Sequence, residues 1–174
     1  VWAPLKTGKG PGLLWRFYPA RRAWEQVKTT GGPLPGTPSD DYGTIVYDTK
    51  RKQTLMFTAI KDGGQAWSCD LANGTLKNLE PANPQDGPGY PRESVYLPSG
   101  DLVLFAHSRA GGLTCYAVDK NRFRTLELPG WLQKRDVSAA LMYDPKRDLV
   151  WGVGASWDLY VLRFDPNTAK FLGD

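Results

Sequence analysis

The chain has 174 residues, 41% of them hydrophobic and 12% aromatic, which suffices for a domain with a packed core and excludes a disordered or fibrous polypeptide. Its formal net charge is +4, and basic residues such as Lys50, Arg51, Lys52, Lys146 and Arg147 fall in predicted turns, where they read as solvated turn charge and give no nucleic-acid stripe. No apolar run approaches the ~18 residues of a membrane helix, so no membrane insertion is expected.

Nineteen glycines and fourteen prolines cluster between short apolar runs, which favours many short strands over long helices. In chain order, "VWAPL" and "LLWRFYPARRAWEQV" predict three strands over 1–27, followed by a Gly/Pro-rich stretch over 28–41. Four strands follow in "GTIVYD", "TLMFTAI", "AWSCDL" and "TLKNLE". After 81–92 come "ESVYL", "DLVLFAH", "LTCYAV" and "FRTLEL". After 129–136 come Val137–Tyr143, Leu149–Val153, Leu159–Phe164 and Lys170–Leu172. Asn73-Gly74, Ser99-Gly100 and Asp144-Pro145 supply turn chemistry between strands, while Gly63-Gly64 and Gly111-Gly112 are placed in loops.

The pattern repeats. Tyr47, Tyr96 and Tyr143 recur at spacings of 49 and 47 residues, and Tyr-Asp-x-Lys-Arg occurs at both 47–51 and 143–147. A four-stranded unit of about 45–50 residues is the period of a β-propeller blade, whose two apolar faces are buried only by stacking on neighbours. The reading is therefore an all-β chain: a β-propeller of four-stranded antiparallel blades, with about three complete blades (about 42–80, 90–129 and 137–172) and a truncated first blade over 1–27. Trp24, Leu76, Phe123 and Phe171 are expected to pack between blades. A ring needs more blades than these, so the remaining blades are expected from a longer chain or a homo-oligomer.

The inner-strand pattern "ESVYLPSGDLVLF" and the outer hairpins "VLRFDPNTAKF" and "WRFYPARRAW" resemble the kelch-type propeller repeat along essentially the whole chain. Where that family closes its second strand with a double glycine, this chain has Thr58-Ala59, Ala106-His107 and Gly152-Val153. The resemblance implies a kelch-like propeller used for binding. It also implies the alternative of a kelch-like enzyme, of carbohydrate-active or oxidase type, with its catalytic groups on blades outside this chain.

Propeller ligands bind at the mouth formed by the loops between blades and between second and third strands. Arg92, Trp131, Asp41, Tyr90, Arg135, Arg109 and Trp157 are the ligand-binding candidates on that rim. Arg92 offers a forked donor for carboxylates, and Trp131 and Trp157 offer indoles for stacking. The expected partner is a protein or a carbohydrate, with no nucleic acid. His107 is the single histidine, and Cys69 and Cys115 lack metal spacing, so no catalytic residue, metal or cofactor is assigned. An enzyme is less favoured than a binding module. The compartment stays open, with an extracytoplasmic place slightly favoured, and both cysteines are expected to be free buried thiols.

Overall fold

The structure, a computed structural model, describes residues 2–5, 13–32, 43–60, 63–70, 72–88, 91–107, 113–126, 130, 132, 140–154, 157–165, 168 and 170–172. Among the described residues, five antiparallel sheets follow one another along the chain. The first holds β1 (Trp2–Leu5), β2 (Leu13–Tyr18) and β3 (Ala23–Val27). The second holds β4 (Gly43–Asp48), β5 (Gln53–Ile60), β6 (Gly63–Cys69) and β7 (Leu76–Asn78). The third holds β8 (Pro91–Leu97), β9 (Leu102–His107), β10 (Leu113–Ala117) and β11 (Arg122–Thr125). In the fourth, β12 (Ala140–Asp144), β13 (Leu149–Val153) and β14 (Leu159–Leu162) pair in order, and a fifth, two-stranded sheet pairs β15 (Phe164–Asp165) with β16 (Lys170–Phe171). Each is a meander in which sequence neighbours are also spatial neighbours, the topology of propeller blades. The fold is all-β and propeller-like, and the sheets do not close into a ring.

The blades stack face to face through two large apolar clusters. Between the second and third, Leu55, Phe57 and Ala66 meet Phe105, Tyr116 and Phe123. Between the third and fourth, Leu102, Leu104, Leu113 and Cys115 meet Val150, Tyr160 and Leu162. Alternation along each strand sends successive side chains to opposite neighbours. β10, with a blade on either side, is therefore buried at every position. A third, smaller cluster sets Leu14 of β2 against Met56, Cys69 and Leu76 of the second sheet. Cys69 and Cys115 are both free and buried.

Of the residues expected between blades, Leu76 and Phe123 are buried. Trp24 is half-exposed and packs on Phe17 of its own sheet, with ring centroids 5.0 Å apart. The Phe171 side chain lies outside the described residues.

The turns differ from the sequence reading in one respect. Each four-residue hairpin ends in a left-handed residue: Arg22 (φ 49°), Lys52 (54°), Asp101 (51°), Asn121 (48°) and Asp148 (53°). The glycine of Ser99-Gly100 sits one position before that corner. The loop assignment of Gly63-Gly64 is also corrected, because both glycines belong to β6 and pair with Ile60 and Ala59. The reason is tertiary: a Cβ on Gly64 would stand 3.0 Å from both the Gly87 backbone and the Phe123 ring. Finally, the start of the 28–41 stretch does not belong to the rim. Thr30 forms a parallel bridge with Thr75 and binds the outer edge of the second sheet beside β7.

Candidate functional site

Antiparallel order gives the stack two ends. One carries the hairpins that join first to second strands, with their left-handed corners. The other carries the β5–β6, β9–β10 and β13–β14 hairpins together with the blade connections, and this is the rim to which the sequence assigned its candidates.

At the hairpin end, the repeated Tyr-Asp-x-Lys-Arg is a structural device. Asp48 Oδ1 accepts the Lys50 and Arg51 backbone N–H groups at 3.0 and 3.1 Å, and Oδ2 accepts from the Arg51 guanidinium at 3.1 Å. Asp144 does the same with Lys146 and Arg147, whose guanidinium lies at 2.8 Å. An aspartate ending a strand satisfies the turn's donors. Burial pushes the Asp48 carboxyl up, but the Arg51 backbone bond and the Gln53 and Arg51 side chains outweigh it and hold it below its usual value.

Arg51 then reaches the next blade. Its two terminal nitrogens donate to Asp101 at 2.8 and 2.6 Å in a forked pair. The Tyr96 hydroxyl donates to the same carboxylate at 2.7 Å. Arg51, Asp101 and Tyr96 thus join the first hairpin of the second blade to that of the third. Arg51 first, then Tyr96, hold the Asp101 carboxyl low, while burial and the carboxylate bond push the Tyr96 phenol up. The reading of Arg51 as solvated turn charge is corrected accordingly. The equivalent joint one blade on is neutral on the donor side: Ser99 and Tyr143 hydroxyls both donate to Asp148 at 2.8 Å.

The first strands β4, β8 and β12 lie beside one another, with the Thr44 and Ser94 hydroxyls bonded to each other across the first two. A groove of about 520 Å³ runs over their hairpin ends, lined by Tyr47, Val95, Pro98, Tyr143 and Pro145 among others. Its walls are largely apolar and ring-rich.

At the rim, Trp157 stands in the β13–β14 hairpin with 87% of its surface exposed. Its backbone is left-handed (φ 63°), which is costly for a bulky side chain. Two backbone bonds hold the loop: Gly154 N–H to Asp158 O at 2.9 Å and Trp157 N–H to Gly154 O at 3.0 Å. Trp157, its own N–H tied to Gly154 O, therefore presents an indole to solvent.

Arg92 lies in β8, where the register slips between Pro91 and Glu93, a bulge of the kind that re-aims side chains at sheet ends. His107 pairs with Pro91 across that bulge. The side chains of Arg92 and His107 lie outside the described residues, as do Asp41, Tyr90, Arg109, Trp131 and Arg135 altogether. Glu93, which the sequence reading passed over, is half-buried beside the bulge, and burial pushes its carboxyl up. Among the described residues, no group of three or more His, Cys, Asp or Glu could hold a metal ion.

No family model matches this chain, and no curated relative matches it either. Solved structures are similar to it in fold. An auxiliary nutrient binding protein from Bacteroides thetaiotaomicron aligns with TM-score 0.61 at 11% identity, over 98% of this chain and 37% of that one. The extracellular domain of BT4673 from B. thetaiotaomicron aligns at 0.54 and 14% identity, over 91% and 21%. The Dos1 propeller aligns at 0.54 and 11%, over 96% and 39%. This chain is propeller-like, and it spans from about a fifth to two-fifths of the structures it resembles.

Proposed function

We propose that the chain is a segment of a kelch-like propeller that binds a carbohydrate or protein partner, without catalysis, through the loop rim that carries Trp157. The carrying observation is the exposed indole on a left-handed backbone. An unstacked Trp forfeits the burial that normally offsets its exposure, and a sugar ring or peptide side chain laid on it would recover that. Strain retained at an exposed loop residue points toward use of that residue. Arg92, in the bulged start of β8, is the second rim residue in this reading, as a donor for a ligand carboxylate or hydroxyl. Two of the structural neighbours are a nutrient-binding protein and an extracellular domain, and an extracytoplasmic binding role accords with both.

The test screens the purified chain against oligosaccharide and peptide arrays and follows the hits by calorimetry. Trp157→Ala is expected to weaken a genuine hit by about tenfold or more, the scale of a stacking hot spot. Trp24→Ala, which changes a half-exposed Trp on the first sheet, serves as control and should leave the affinity alone. Equal affinity for Trp157→Ala and the unmodified chain would remove the rim proposal, as would a folded chain that binds nothing on either array.

A further inference from the structure

The last blade repeats the architecture of its predecessors and leaves one face uncovered. β14 occupies the place of β10, yet it is buried only at alternate positions, whereas β10 is buried throughout. Register gives the equivalences: Cys115 opposite Leu104 in the third sheet corresponds to Val161 opposite Trp151 in the fourth. Leu113 opposite Ala106 corresponds to Leu159 opposite Val153. Leu104, Ala106, Leu113 and Cys115 are each no more than 2% exposed, while Leu159 is 64% and Val161 47% exposed. Met142, on the same outward face opposite Trp151, is 65% exposed. In the second and third sheets, this face is the one covered by the next blade.

A polar half-joint stands beside the apolar face. Arg147 is placed as Arg51 is, third in the turn, and folds onto Asp144 as Arg51 folds onto Asp48. Arg51 goes on to fork Asp101 of the following blade. Among the described residues Arg147 meets no carboxylate beyond Asp144, and its side chain is 68% exposed against 39% for Arg51.

We propose that the outward face of the fourth sheet, with Arg147 at its corner, is a docking surface for a further blade of the same repeat whose first hairpin carries an aspartate at its left-handed corner. Two of the three covered joints end on such an aspartate, Asp101 or Asp148, each also bonded by the tyrosine five residues earlier, while the joint of the first sheet with the second has Lys52 at that corner. The occupant is a different blade and not a second copy of this chain. Within a copy, Asp101 and Asp148 already bind Arg51 and Ser99, and the corresponding corner of the second sheet is Lys52, which would repel Arg147. An apolar blade face meeting solvent is the feature that stacking removes in repeat folds.

The chain has two methionines, which make an internal control. Met56 is 3% exposed and Met142 is 65% exposed. Peroxide oxidation, read by peptide mass spectrometry, would be run on the 174-residue chain and on the polypeptide isolated from its source. Sulfoxide formation follows exposure, so Met142 should oxidise quickly in the former and about tenfold more slowly in the latter, with Met56 slow in both. Arg147→Ala in the source polypeptide should speed Met142 oxidation several-fold while Met56 stays slow. Equal Met142 rates in the two preparations would overturn the proposal. Protection of Met142 in the 174-residue chain that grows with protein concentration would assign the face to a second copy instead. Unchanged protection in Arg147→Ala would overturn the carboxylate part of the assignment.

Discussion

The joint between the second and third blades and the joint between the third and fourth occupy the same place in the repeat and are filled differently. The first is aromatic: Phe57 lies 4.7 Å from Phe105 and 5.1 Å from Tyr116, edge to face, and Tyr116 lies 5.2 Å from Phe123. It is closed at the hairpin end by a charged fork, Arg51 to Asp101. It is closed at the outer edge by Asn83, whose side chain exchanges two hydrogen bonds with the Phe123 backbone at 2.8 and 2.9 Å. The second joint is mainly aliphatic, built from Leu102, Leu104, Leu113, Val150 and Leu162 with Tyr160 beside them, and closed by a serine hydroxyl on Asp148. What the two share is the tyrosine-aspartate corner. These two joints keep the acceptor and the burial pattern, and differ in the donor and the packing chemistry. A blade boundary here is a geometric requirement that several side-chain sets satisfy.

The largest way to break the aromatic joint is Phe57→Ala. Phe57 is 1% exposed and touches three other rings, so the loss should be about 3–5 kcal/mol, read from urea denaturation. Leu104→Ala in the aliphatic joint should cost about 2–5 kcal/mol, and less than Phe57→Ala if edge-to-face contacts add about 0.5–1.5 kcal/mol per pair.

The polar corners come next. Asp101→Asn removes the charge that Arg51 forks and should cost about 1–2 kcal/mol, since Arg51 remains partly solvated. Asp148→Asn, where the donors are hydroxyls, should cost less than about 1 kcal/mol. Equal losses at the two corners would mean that the charged fork adds nothing to the neutral one.

The same contrast can be read against pH. Arg51 holds the folded Asp101 carboxyl below its unfolded value. Its contribution is therefore fully present above about pH 4 and is lost as pH falls through the folded value. Denaturation midpoints should drop on acidification below about pH 4, and Asp101→Asn should flatten that limb. A limb of unchanged steepness in the variant would assign the acid loss to other carboxylates.

The smallest effect is expected at Glu93, where burial raises the folded carboxyl above its unfolded value. The penalty is absent below the unfolded value and complete once pH has risen past the folded one. Glu93→Gln should accordingly raise the urea midpoint at pH 7 slightly and leave it unchanged near pH 3.

Much of the fold was legible because blade repetition leaves local marks. Tyr47, Tyr96 and Tyr143 stand near the ends of their first strands in register, and the unbroken apolar run in "DLVLFA" is that of a strand buried on both faces. Contacts made across about fifty residues were not legible. Arg51 reads as a wet turn charge until Asp101 of the next blade is beside it, and Gly64 reads as a loop residue until Gly87 and Phe123 close on it. The turns at Asn73-Gly74 and Ser99-Gly100 were legible, but the left-handed corner of the second falls on Asp101, where a short polar side chain tolerates it. Of the rim candidates, Trp157 is the residue whose exposure the structure describes, and its place in the loop between the second and third strands is what marks it in the sequence.

The stacking of consecutive blades is tested most directly by a double-mutant cycle on Arg51 and Asp101, fifty residues apart in sequence. Stabilities of Arg51→Ala, Asp101→Asn and the double variant would be measured by urea denaturation at pH 7. Stacked blades predict a coupling of about 1 kcal/mol, well beyond the additivity error of about 0.3–0.5 kcal/mol. Losses that simply add would mean that the two hairpins do not meet, and would contradict the propeller order of these sheets.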